Sequence, residues 1–435
     1  MSTWNYQKNN GLPVSWKSTP LNYLFTIIGG NGFAPELQGE SYGELPFIKN
    51  SDISSGASKI STAVNYVSHD LAQKEGFNVV PKNSILMGKI GESMKKNRRV
   101  LNTVECCIDN NMQAMVPTVE SIHPEYGLYA LQLLDAADFD NGGPVPSINN
   151  IKWRRARIPL PQKREQILIM AVLNSETAKI DRAIDLLQQE LDTLDQLKKS
   201  MIHEAVTKGL DPTVPMKPSG VEWIGDIPEH WSITRLSTKV TKVGSGKTPL
   251  GGADTYVDEG IPLIRSQNIF DGELHLDDAV RIDASTELGM HSTRVRSGDV
   301  LLNITGASIG RSCVVPGGVG VANVNQHVCI IRPDQSQILP LFLHYLWSTV
   351  GQEWVFQNQN GATREALTFQ EIRSAIFPIP DLPTQQHIVT QVQEQLAKLN
   401  LIQSSKEEQL RILNQQRASL IFEYVTGKRR VSEVE

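Results

Sequence analysis

A chain of 435 residues is too long for one hydrophobic core and predicts two to four domains. With 42 Lys and Arg against 47 Asp and Glu, a net charge of −5, overall charge cannot drive nucleic-acid binding, so any backbone recognition must come from local basic clusters. No apolar run approaches the roughly 18 residues of a membrane span, and the polar stretch Met1 to Gly11 has no signal-peptide core, so a cytoplasmic location without membrane contact is expected.

The first segment, 1–157, is expected to form a compact α/β (α+β) domain, because short β-rich runs such as Ser84 to Met87 alternate with long stretches rich in Gly, Asn and Ser. Two dense basic clusters lie within it, Lys95-Lys96-Asn97-Arg98-Arg99 and Lys152 to Arg157. Cys106 and Cys107 are adjacent, Cys313 and Cys329 isolated, and the nine histidines form neither HExxH nor an i, i+4 pair, so buried thiols in a reducing compartment and no metal site are expected.

Residues 158–210 open on Ile158-Pro-Leu-Pro161, read as a proline-punctuated turn, and continue as one apolar-periodic helix. Ile180, Ile184, Leu187, Leu191, Leu194, Lys198 and Met201 step by four and three, the pattern of a coiled-coil seam. A run of about 40 helical residues is about 60 Å long, too long for the core of one small domain.

This stretch recurs. Phe377-Pro-Ile-Pro380 answers to Ile158-Pro-Leu-Pro161, and Val425-Thr-Gly-Lys428 to Val206-Thr-Lys-Gly209, both displaced by 219 positions. The same displacement carries the seam to Leu399, Gln403, Lys406, Leu410, Leu413, Arg417 and Leu420 in residues 377–435, with Lys198 and Arg417 interrupting it at the same step. Two such helices are expected to pack on each other. Between them, 211–376 holds a linker, where four prolines and repeated glycines forbid regular structure, and a second domain from Trp231 to Ile376. Framework pieces of the two domains align: Leu45-Pro-Phe-Ile-Lys49 with Ile261-Pro-Leu-Ile-Arg265, and Val80 to Leu86 with Val295 to Leu301.

The linker from Gly209 to Trp231, followed by Val243-Gly-Ser-Gly-Lys-Thr-Pro249 and by the proline-rich entry to each long helix, resembles the specificity subunit of type I restriction-modification enzymes over essentially the whole chain. The resemblance implies two target-recognition domains separated by an antiparallel coiled coil, each reading half of a bipartite site in double-stranded DNA. It also implies two methyltransferase subunits carrying S-adenosylmethionine and restriction subunits using ATP and Mg²⁺, with no cofactor on this chain. The sequence departs from an even repeat in two places. Pro144-Val-Pro146 stands where the second domain has Gly361-Ala-Thr-Arg364, and the loop Gly29-Gly-Asn-Gly32 lacks the Lys-Thr-Pro ending.

Gly244-Ser-Gly-Lys-Thr248 is not a nucleotide-binding P-loop, since Thr241 stands where the first glycine belongs and Pro249 opposes a helix start. It suits a DNA phosphate better. Neither Asn-Pro-Pro-Tyr nor Asp-Pro-Pro-Tyr occurs, nor a Pro-Asp followed by Glu-x-Lys, so no catalytic residues are expected. Base reading calls for paired donors and acceptors in loops. The candidates are Lys49, Asn50, Lys89, Lys95, Lys96, Arg98 and Arg99 in the first domain, and Lys247, Thr248, Arg265, Gln267, Asn268, Asn303, Arg311 and Arg364 in the second. Asn110, Asn111, Asn325 and Gln326 precede apolar strands and suit turns as well as base contacts. Two other functions stay open at this level: a coiled-coil scaffold that binds no DNA, and a single-chain DNA-modifying enzyme.

Overall fold

The computed structural model describes residues 11–53, 58–118, 120–249, 251–359 and 366–431. Contacts divide the chain into two units, Met1–Gln188 with Glu408–Glu435, and Gln189–Glu407, so the division falls inside both long helices. These are Lys163–Lys208 and Leu382–Val425, each uninterrupted.

In the first unit a five-stranded sheet runs in the order Phe25–Gly29, Met112–Pro117, Ile85–Gly88, Arg99–Asn102, Lys59–Ile60. Its central strand is apolar without interruption because both faces are covered. Alternate residues serve different cores: Ile85 and Met87 pack with the helix Pro124–Leu131, Leu86 with Val100 and Ala114 on the other side. A smaller sheet, Asn65–Val67, Leu45–Ile48, Cys107–Ile108, stacks Phe47 on Phe33 with ring centres 3.8 Å apart.

The second unit repeats this plan. One sheet runs Val240–Ser245, Val328–Pro333, Val300–Asn303, Ser312–Val314, and the other Tyr256–Val257, Val280–Ile282, Ile261–Ile264, Asn323–Val324. Val300 and Leu302 face one core while Leu301 faces the other.

The entry to each long helix is a strand, not the expected turn. Arg157–Leu160 pairs antiparallel with Lys17–Pro20, and Ile376–Ile379 with Ser232–Arg235. Proline is tolerated there because each ribbon has only two strands, so the missing N–H lies on a free edge. The linker likewise contains a short ribbon, Met216–Pro218 with Asp226–Pro228, where no regular structure was expected, and for the same reason.

One buried glutamine fastens each helix to its domain. Gln166 donates to the carbonyls of Ser121 (2.7 Å) and Pro161 (2.9 Å) and accepts from the His123 amide at 2.8 Å. Gln385 donates to Gln337 (3.0 Å) and Pro380 (2.9 Å) and accepts from Leu339 at 2.9 Å. Glycines with positive φ end both helices against tryptophan: Gly209 (φ +76°) against Trp231, and Gly427 (φ +71°) against Trp16 and Pro13. The second helix ends at Val425, two residues before the position aligned with Lys208, and its positive-φ glycine is Gly427, one residue before the position aligned with Gly209.

Within each unit the helical segments run antiparallel. In the first, Arg417 donates to Asp181 at 2.7 Å; in the second, Lys406 reaches Glu190 at 2.6 Å and Lys198 bonds to Gln403. The basic residues that interrupt the seam are thus polar ties. Ile180, Ile184, Leu187, Leu410, Leu413 and Leu420 are half-buried in the first unit. In the second, Leu191 is buried, and Leu194, Met201 and Leu399 are half-buried.

All four cysteines are buried free thiols, and burial pushes Cys313 and Cys329 up to about 12. Among the described residues no helix is long and apolar enough to cross a membrane, and no group of His, Cys, Asp and Glu could hold a metal ion.

Candidate nucleic-acid interface

In the first domain four loops meet at one end of the sheets. The Asp109 amide donates to Ile48 O, Lys89 N to Asn111 O, Gly30 N to Met112 O and Asn31 N to Ile108 O, all within 3.1 Å. A Cβ on Gly30 would lie 2.0 Å from Asp109 O, so only glycine lets the two backbones approach this closely.

The second domain builds the same end. Asn325 N donates to Ile264 O, Ile304 N to His327 O and Gly246 N to Asn325 O. A Cβ on Gly246 would lie 1.5 Å from Val324 O. Gly246 therefore holds the loop down, and Lys247 and Thr248 stand exposed beyond it. Among the described residues a single 3-10 turn, Gly252–Thr255, follows them rather than an α-helix, so the loop does not open the helix of a P-loop.

Lys49 and Arg265 occupy equivalent places, each opening a single helical turn. The Lys49 amide donates to Asp52 Oδ2 at 2.7 Å and the Arg265 amide to Asn268 Oδ1 at 2.9 Å. The Lys49 ammonium bonds Gln38 Oε1 at 2.7 Å and lies over the Phe33 ring, while the Arg265 guanidinium lies over Tyr256 at 5.9 Å. Asn50 and Lys89 are half-buried beside this end, and Gln267 and Arg311 are exposed.

Three candidates do not present their polar groups outward. Asn268 is fully buried, spending its amide on Asp278 (3.0 Å) as well as on the turn. Asn303 is fully buried, donating to Ser266 O (3.0 Å) and Ser308 Oγ (3.1 Å). Arg99 is 6% exposed: Nη2 donates to Leu134 O at 2.7 Å and Asn97 Oδ1 at 2.9 Å, and the guanidinium lies over Trp153. Burial lowers the Arg99 guanidinium to about 10, so it remains charged at neutral pH. These three build the scaffold beneath the loops, because a strand or a closed turn directs them inward. Within the same cluster Lys95 pairs with Glu92 at 2.9 Å, Arg98 donates to Ile53 O at 3.0 Å, and Lys96 is exposed. Arg364 lies outside the described residues.

Sequence reasoning passed over one assembly here. His327 Nδ1 lies 2.7 Å from Thr305 Oγ1, and its Nε2 lies 2.9 Å from Gln326 Nε2. Asn325 is a turn residue, its Oδ1 accepting from the His327 amide at 3.0 Å. The available signal was the polar run Asn325-Gln326-His327 between two apolar strands.

Residues 13–196 and 228–411 each match the family described as Type I restriction modification DNA specificity domain. The Type I restriction enzyme EcoBI specificity subunit of Escherichia coli is 29% identical over 276 residues, which cover 62% of this chain and 58% of that one. The chain thus spans somewhat over half the length of that relative. The putative type I restriction enzyme MjaX specificity subunit of Methanocaldococcus jannaschii is 24% identical over 332 residues, covering 74% and 72%. A solved chain from a study of complex assembly and conformational transition in a type I R-M system has the same fold, with a TM-score of 0.62, 16% identity, and coverage of 96% and 99%.

Proposed function

The chain belongs to the Type I restriction modification DNA specificity family, and from that premise we propose that it is the DNA-recognition subunit of a type I restriction-modification complex. Each domain reads one half of a bipartite target in double-stranded DNA, and the paired helices set the gap between halves. The observation that carries this reading is the repeated loop cluster. Both domains hold Gly30 or Gly246, Lys49 or Arg265, and a polar turn at 109–111 or 325–327 in one backbone network.

The chemistry suits recognition. Lys247, Thr248, Lys96 and Arg98 supply phosphate contacts, which position the protein; Gln267, Arg311, Arg265, Lys49, Asn50 and Lys89 stand where base edges or the flanking backbone can be met. Half-sites read from one DNA face have centres about 10 base pairs apart. Two methyltransferase subunits holding S-adenosylmethionine dock on the helices, and restriction subunits using ATP and Mg²⁺ complete the complex. This chain itself contributes no catalytic residue. Adenine methylation requires the base to leave the stack and enter the partner's pocket.

Expression with the neighbouring subunits in a host lacking adenine methylation, followed by mapping of N6-methyladenine across its genome, tests the reading. One bipartite motif is expected. Absence of methylation with all subunits folded would overturn it and favour a scaffold that binds no DNA.

A further inference from the structure

We propose that Gln326 reads one adenine in the half-site of the second domain, with His327 and Thr305 as positioning residues; this rests on the recognition function proposed above. Gln326 is exposed, whereas His327 and Thr305 are half-buried beneath the turn. A carboxamide nitrogen can only donate, so the 2.9 Å contact from Gln326 Nε2 makes His327 Nε2 the acceptor. The imidazole proton then sits on Nδ1 and is donated to Thr305 Oγ1 at 2.7 Å. Thr305 is fixed in turn by its place in the chain, since Ile304 N donates to His327 O and the Thr305 backbone bridges to Ala366.

With this tautomer the order of donor and acceptor on the Gln326 amide is set. Of the two Nε2 hydrogens, we assign to His327 the one that points away from Oε1. The hydrogen beside Oε1 and Oε1 itself remain free on one edge. That pair matches the N7 acceptor and N6 donor of adenine in the major groove, and it does not match guanine, which offers two acceptors there. An amide free to turn over would present both orders; with its proton on Nδ1 the histidine favours this one, whereas the opposite tautomer would favour the other. Gln326 also borders the phosphate-facing loop, because Gly246, next to Lys247, bonds to the carbonyl of Asn325.

The first domain lacks this assembly. Lys89 N donates to Asn111 O as Ile304 N does to His327 O, so Asn111 stands in place of His327 and Ile90 in place of Thr305. The device therefore belongs to one half-site only.

The test uses the full chain in complex with its methyltransferase subunits and duplexes carrying the mapped site, with every base pair varied in turn. Gln326→Ala is expected to lose about 5- to 150-fold of discrimination at a single A·T pair of the second half-site, the range for one bidentate contact. Replacing that adenine by 7-deazaadenine, which lacks the N7 acceptor, should weaken the wild type and leave Gln326→Ala unchanged. Gln326→Glu, close in shape and able only to accept, should shift the preference toward cytosine. His327→Phe should relax the same base pair and add nothing in the Gln326→Ala background. A uniform loss with His327→Phe that persists in that background would make the histidine merely structural and overturn its positioning role. An unaltered profile for both Gln326 variants, in a complex that still selects its bipartite site, would overturn the adenine assignment alone. A wild-type complex that selects no sequence would instead overturn the recognition function.

Discussion

Replacing Gln166 by leucine removes three hydrogen bonds at once while roughly keeping side-chain volume. The carbonyls of Ser121 and Pro161 and the amide of His123 lose the partner that now satisfies them. At about 1 kcal/mol net for each bond, the cost is about 3 kcal/mol. Against the roughly 5 to 15 kcal/mol that stabilises a folded domain, this loosens the first unit without abolishing it. Native-state hydrogen exchange resolved by peptide is the assay. Protection around residues 121–123 and 158–170 should fall by about two orders of magnitude, as 3 kcal/mol requires. Gln385→Leu should produce the corresponding loss around 337–339 and 377–390, since its three bonds have the same arrangement. Changes below about 0.5 kcal/mol in both variants, within the range of ordinary surface substitutions, would refute the view that these glutamines fasten the helices to their domains.

Lys247→Ala should weaken DNA binding across sequences and reduce the salt slope by about 0.9, one phosphate contact, whereas Arg99→Met should lower stability and leave that slope unchanged. Titration of filter or fluorescence binding against salt separates the two. His344 is buried and lowered to about 4 by desolvation, against 6.5 for the unfolded chain. The unfolded state therefore takes up a proton that the folded state refuses, and stability falls by about 3 kcal/mol as pH drops from 6.5 to 4. Urea unfolding across that window should show the loss, and His344→Asn should remove most of it. Deleting residues 184–190 and 406–412 together, one heptad from each helix, should shorten the unread gap and preserve both half-sites in methylation maps; an unchanged gap would defeat the spacing role.

The duplication was legible because its marks are covalent and local: prolines, glycines and a four-three apolar step survive in both copies whatever the loops contact. The loop cluster was legible only by residue type. Type alone misplaced Asn268, yet its counterpart Asp52 accepts the same kind of backbone N–H, and comparing the two turns identifies a turn-closing position. Arg98 and Arg99 differ in fate because successive residues at a strand start point to opposite sides, one outward and one beneath Leu134 and Trp153. Gln326 stayed open between turn residue and base reader, and His327 escaped notice, because the two roles share the same composition; only the contact of His327 with Thr305, 22 positions away, distinguishes them. Where the linker was concerned, proline content suppressed an expectation of strands that a two-stranded ribbon allows.

The hydrophobic core of the first domain is assembled from segments that lie on either side of the second domain in sequence. Ile421, Tyr424 and Val425 pack in it with Trp16, Tyr126 and Trp153. A ribosome adding about 5 to 20 residues per second must therefore make the whole of the second domain while the first waits with one face uncovered. Folding order is thereby inverted: the domain translated first is completed last. A message that stops short of residue 421 yields a chain whose second domain can close but whose first cannot, and cellular proteases act on such open faces. The placement of three apolar side chains thus ties completion of the first core to synthesis of the second long helix.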